Sequence, residues 1–238
     1  PPPPPFFFHD EAGIGDFCLS RGLGDVYKRQ KFLVLTLTLN LLPLEGQTSM
    51  EAKRILDAVA KKMSRFDNQQ FNFTYVLNNR KEGIRQETKG KVVVSGERYK
   101  LDFMGMTQLF DGEKTYTIVP ENEEITVSDN SEDDLGINPN ELLRFYLEGY
   151  DYQMDIKQSL KGRSIQYIKL IPSKENLEIK HLLLGIDVSA LSIYRLIEVG
   201  SNGTQTTLTL NNQINNQPIA EDFFFFKPNN YPDFYINE

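Results

Sequence analysis

The sequence predicts an α+β protein: a helix, then about eleven strands forming an antiparallel sheet. Three observations carry this. Residues 49–64 have apolar side chains at helical spacing. From residue 70 the pattern switches to period two, as in Phe71-Asn72-Phe73-Thr74-Tyr75-Val76-Leu77, where alternate residues share one face of a strand. The strand candidates are joined by short connections punctuated by Asp111-Gly112, Lys161-Gly162 and Ser201-Asn202-Gly203, which leaves no length for the crossover helices of parallel sheets.

The elements follow in order. Ser49 is placed to cap a helix through about Ser64, with Ile55, Leu56, Val59, Ala60 and Met63 as its apolar stripe. Strands are expected at 70–78, 84–94, 98–103, 107–110, 115–119 and 125–127. A second helix is expected over 138–149, where Asn138 caps, Pro139 takes the first helical position and Gly149 stops the run. Strands resume at 151–159, 164–171, 178–186, 192–199 and 204–212. Aromatic-loaded strands are expected at Tyr99/Leu101/Phe103, Tyr116/Ile118, Tyr150/Tyr152 and Phe223/Phe225.

The N-terminus reads differently. Residues 1–30 join Pro1–Pro5 to Phe6–Phe8, and the segment ends in Asp25-Val26-Tyr27-Lys28-Arg29-Gln30, which resembles a translated sequencing-library adapter. We expect this stretch to be foreign to the fold. Residues 31–46 read as a signal peptide. Lys31 leads an apolar run of about thirteen residues, too short for the ~20 needed to span a bilayer, and Gly46 offers a small residue for cleavage. The domain is then 47–238, long enough for a substantial core.

Composition excludes several functions. The formal net charge is −7, so there is no basic footprint for nucleic acid or an anionic membrane surface. The only cysteine, Cys18, lies in the foreign stretch, which removes disulfides, thiol catalysis and thiolate metal sites from the domain. A cysteine-free exported chain fits a bacterial periplasm. His181 is the domain's one histidine and reads as a surface or pocket-edge residue. Glu121 to Asp134 holds seven carboxylates and no base, but lacks the calcium-loop spacing and reads as a solvated acidic loop. No cofactor or metal is expected, and no enzymatic activity. One-sided apolar strands without catalytic chemistry suggest a container for something apolar, or equally an ordinary core.

Several motifs, in order, resemble the periplasmic outer-membrane lipoprotein carriers, the LolA family, in their Bacteroidetes-like form. They are Ala52–Val59, Phe71-Asn72-Phe73-Thr74-Tyr75, Lys89-Gly90-Lys91 through Leu101, Phe110-Asp111-Gly112 through Ile118, Gly136-Ile137-Asn138-Pro139, Phe223–Phe226 and Tyr231-Pro232. The resemblance implies an open antiparallel half β-barrel with helices covering its concave face. It implies a periplasmic monomer that takes acylated lipoproteins from an inner-membrane ABC transporter and carries their acyl chains to the outer membrane, where the acceptor is unknown. A lipoprotein-sensing interaction module on the same fold and a secreted hydrolase are the alternatives.

Cavity candidates follow from the one-sided strands and the second helix. They are Phe71, Phe73 and Tyr75; Tyr99, Leu101 and Phe103; Met104 and Met106 as adaptable liners; Tyr116 and Ile118; and Leu143 and Tyr146. Arg98 falls near the arginine that the family uses to hold its lid region closed through hydrogen bonds. Here it sits in Gly96-Glu97-Arg98-Tyr99, and reads either as that latch or as an exposed strand arginine.

Overall fold

The computed structural model describes residues 44–129, 139–160, 162–174 and 176–237. The foreign stretch, the apolar run, Asn138 and the acidic residues from Asn130 to Asp134 lie outside these.

Helix α1 (Leu44–Met63) is followed by strands β1 (Gln69–Asn79), β2 (Ile84–Ser95), β3 (Arg98–Phe103), β4 (Met106–Phe110), β5 (Lys114–Val119) and β6 (Glu124–Asp129). A single helical turn, α2 (Pro139–Leu142), precedes β7 (Tyr150–Leu160), β8 (Arg163–Pro172), β9 (Ile179–Asp187), β10 (Ser192–Gly200) and β11 (Gln205–Asn215). A short β12 (Tyr235–Asn237) ends the order. The eleven expected strands are all present, and β12 makes a twelfth that period-two alternation over three residues is too short to reveal.

The twelve strands form one sheet in the order β12-β6-β5-β4-β3-β2-β1-β11-β10-β9-β8-β7. Two antiparallel meanders meet where β1 pairs with β11, for instance Tyr75 opposite Leu208. Only β12 runs parallel to its neighbour, with Ile236 opposite Ile125. The ends β7 and β12 do not pair, so the sheet is open rather than closed into a barrel.

Helix α1 packs on the β7–β10 part of one face. Ala52, Leu56, Val59 and Met63, one turn apart, are buried there against Ile168, Leu170, Leu182, Leu184 and Ile186. Ladder pairs Ile168–Leu184 and Leu184–Leu196 confirm that these residues point to the same side. The helix begins at Leu44 rather than Ser49. Beyond β3 the other face of the sheet is covered by the C-terminal segment, where Phe226 stacks on Tyr116 at 4.7 Å and on Tyr231 at 5.7 Å.

Two expectations need correction. The run 138–149 is not one helix. After α2 the chain leaves helical geometry at Arg144 and makes a 3-10 turn, Phe145–Leu147. A continuous helix would put Leu142, Leu143, Tyr146 and Leu147 on one face. Here Tyr146 is fully buried in the cluster under α1, while Leu142 lines the cavity and Leu143 touches both. The break lets neighbouring residues serve two layers, and the Tyr152 hydroxyl offers its proton to the Tyr146 and Leu147 carbonyls at 3.0 and 2.9 Å. Phe223/Phe225 is likewise not a strand. Phe223 and Phe225 donate their N–H groups to Ala220 and Asp222 in a turn, and buried Phe224 packs edge-on against Phe223.

Candidate binding cavity

The face shared with α1 continues across β10, β11, β1, β2 and β3, and there it is not filled by a helix. The ladder registers align its side chains in rows. Phe71 lies opposite Val92, which lies opposite Leu101. The next row is Leu210, Phe73, Gly90 and Phe103. Then come Leu196, Leu208, Tyr75 and Thr88, and finally Glu198, Thr206, Leu77 and Gln86. Over these rows sit Pro139, Leu142, Leu143 and Phe145. Between the two layers is a cavity of about 430 Å³.

Its lining is apolar apart from Tyr75, Glu198 and Thr206. Phe103 holds Phe73 at 5.4 Å and Tyr75 edge-on at 5.5 Å, so three aromatic rings form one wall. Gly90 makes that wall possible. A side chain there would begin 2.2 Å from the tip of the Phe73 ring, so the ring lies across bare backbone. On the far side, the Asn140 side-chain amide donates to the Glu97 carbonyl at 2.6 Å and ties α2 to the β2–β3 turn.

The structure brings Phe71, Phe73, Tyr75, Leu101, Phe103 and Leu143 together around the cavity. It places the other expected residues elsewhere. Tyr99 and Tyr146 are fully buried in the cores, and burial pushes the Tyr146 phenol up to about 12, with Arg144 opposing and Asp57 adding, so it stays neutral. Met106 pairs with Phe103 but does not reach the cavity, and Met104 is half exposed in the β3–β4 turn. Tyr116 and Ile118 pair with Leu109 and Thr107, one residue out of step with the inward-facing Met106 and Gln108, so they belong to the opposite face beneath the C-terminal segment. Arg98 is on that opposite face as well. Its guanidinium lies over the Phe224 ring at 5.4 Å, and the tie from sheet to α2 is made by Asn140. His181 alternates with the inward-facing Leu182 and points away from the cavity.

Val92, Pro139, Leu142, Phe145, Leu196, Glu198, Thr206, Leu208 and Leu210 complete the lining and are not among the expected residues. Leu208 and Leu210 had a visible signal, the alternation in Thr206-Thr207-Leu208-Thr209-Leu210. Gly90 had one too, an isolated glycine within a strand pattern.

Glu198 is the lone carboxylate of the lining. Burial, and then the charge of Glu178, hold its carboxyl above the ordinary range. Because the folded value exceeds the unfolded one, the folded state favours the protonated form, and stability is lost as pH rises through that interval. Glu198→Gln is therefore expected to melt above the parent near pH 7, with the advantage shrinking toward about pH 4. Thermal melts at the two pH values check this, and an equal difference at both would refute it.

Among the described residues there is no group of three His, Cys, Asp or Glu side chains poised to hold a metal, and no helix long and apolar enough to cross a membrane.

No family model and no curated protein matches the chain. Solved structures do. A conserved protein from Thermus thermophilus is 12% identical, with 78% of this chain and 98% of that one covered at a TM-score of 0.50. LprF from Mycobacterium bovis is 13% identical over 73% of this chain and 96% of that one, with a TM-score of 0.45. A LolA superfamily protein from Nitrosomonas europaea is 12% identical over 74% of this chain and 97% of that one, at 0.39. At these identities the likeness is one of fold alone, and it rests on the Thermus protein.

Proposed function

We propose that this protein is a periplasmic, non-enzymatic carrier of acyl chains, and that its cargo is acylated lipoprotein passing from the inner to the outer membrane. The observation that carries this reading is the cavity itself: rows of apolar side chains from five adjacent strands, left unfilled beside a helix-packed core. Its volume of about 430 Å³ falls in the range of small-ligand sites. In this reading 47–238 is the carrier domain and 31–46 directs its export.

The energetics give such a protein its task. Each acyl CH₂ is worth about 0.8 kcal/mol when buried, so a sixteen-carbon chain in water costs on the order of 12 kcal/mol. An apolar cavity offsets that cost without a membrane. The wall of Phe73, Tyr75 and Phe103 supplies rigid contact area, and the end of the rows at exposed Gln86 leaves a route for release. The hydrolase alternative has less support, since the lining holds one carboxylate and glycoside hydrolysis calls for a pair.

Titration with a fluorescent fatty-alcohol probe, whose head group carries no charge, tests the proposal. The folded protein should bind it saturably at about one per chain, with blue-shifted emission. Only linear, non-saturating uptake would remove the carrier reading.

A further inference from the structure

Resting on that reading of the cavity, we propose that the amphiphile it takes carries a protonated amine in its head group, received by the Glu198 carboxylate, and that amphiphiles headed by a carboxylate are turned away. The cavity has two chemically different ends. At one, Phe71, Val92 and Leu101 are buried and form an apolar floor. Six residues further along β1, about 20 Å, the row is Glu198, Thr206, Leu77 and the exposed Gln86. An amphiphile has one sensible orientation here, with its tail toward Phe71 and its head toward Glu198.

The charge of that head follows from what surrounds Glu198. No lysine, arginine or histidine lines the cavity among the described residues. Glu198 makes no hydrogen bond or ion pair with any of them, and the neighbour whose charge acts on it is Glu178, itself acidic. The Tyr150 phenol, raised by burial and then by Glu198, stands close by with a neutral hydroxyl. A half-buried carboxylate without a cation is a cost to the folded protein unless a ligand supplies the partner. An ammonium does so with three donors, enough to reach Glu198 and the Thr206 hydroxyl facing it across the ladder. A second carboxylate would meet two like charges.

The test is competition against a bound polarity-sensitive naphthylamine dye by dodecylamine, dodecanol and dodecanoate, using the full-length protein near neutral pH, where the amine is protonated. The amine should displace the dye about tenfold better than the alcohol, a difference of ~1.4 kcal/mol, and dodecanoate should be the weakest. In Glu198→Gln the ratio of amine to alcohol should fall toward one, whereas in Glu113→Gln, an exposed acid of the β4–β5 turn, it should persist. Equal displacement by all three, or a ratio unchanged in Glu198→Gln, overturns the head-group assignment while the acyl cavity stands. Failure of all three, the neutral alcohol included, overturns the cavity reading and this inference with it.

Discussion

Gly90→Val should abolish acyl-chain binding, with at least a tenfold loss of affinity, and leave the sheet folded. Gly90 sits in mid-strand between Phe73 of β1 and Phe103 of β3, and its backbone is of the extended kind that any residue adopts. A branched residue there is better suited to a strand than glycine is. What forbids it is the Phe73 ring, whose Cζ, Cε2 and Cε1 atoms lie 2.2, 2.7 and 2.8 Å from where a Cβ would stand. The added side chain pushes the ring tip away from the sheet, and Phe103 at 5.4 Å blocks its path toward β3. Away from the sheet is the cavity. The phenyl group would thus take the volume meant for cargo.

Overpacking of this kind costs about 1–3 kcal/mol, and the gain in strand propensity offsets part of it. The melting temperature should therefore move by only a few degrees. Dye or acyl-probe titration measures the binding loss. Phe73→Ala in the same chain removes the ring and should restore binding, which separates a blocked cavity from a damaged fold. If Gly90→Val binds like the parent, the ring has another place to go and the cavity is not where the probe sits.

The same residues show what was legible in the sequence. Strand existence was legible almost everywhere, because each strand needs only its own alternation and a turn to end it. Which face each strand turns inward was not. Tyr116 and Ile118 alternate as cleanly as Leu101 and Phe103, yet face the other way, since the β3–β4 and β4–β5 turns set a register in which the inward residues of β5 are Thr115 and Thr117. An aromatic stripe says that something covers it. Here the cover is the C-terminal segment with Phe223 to Phe226 and Tyr231, some hundred residues away, which local pattern cannot report. Glu198 was hidden for a related reason: an acid in a strand reads as solvent-facing, and only the register through β11 places it among Leu196, Leu208 and Tyr75. The helix over 138–149 failed because amphipathic spacing assumes one destination for a face, and this segment has two.

Leu56→Ala should cost about 2–5 kcal/mol of stability, the largest loss expected from one substitution in α1. Leu56 is 1% exposed and stands between Ala52 and Val59 at the centre of the helix stripe buried on β7–β10. Truncation removes the transfer energy of its buried atoms and leaves a void. The sheet beneath is tied by ladders on both sides, so Leu184 and Ile168 cannot close the gap. Most of its residues are good helix formers, yet in a protein the stability of a helix comes chiefly from docking its apolar face, so the contact at Leu56 matters more than propensity does. Out of a total stability of about 5–15 kcal/mol, a loss of this size should lower the melting temperature by on the order of ten degrees. Ile55→Ala, at a half-buried neighbour one residue away, is the matched control and should cost clearly less. The two losses coming out equal would mean that the stripe at 52, 56, 59 and 63 is not the face that docks. The cavity wall of Phe73, Tyr75 and Phe103 lies outside the cluster around Leu56, so probe binding by the Leu56→Ala protein, measured below its melting temperature, should persist. Loss of binding there would tie cargo capture to the docking of α1.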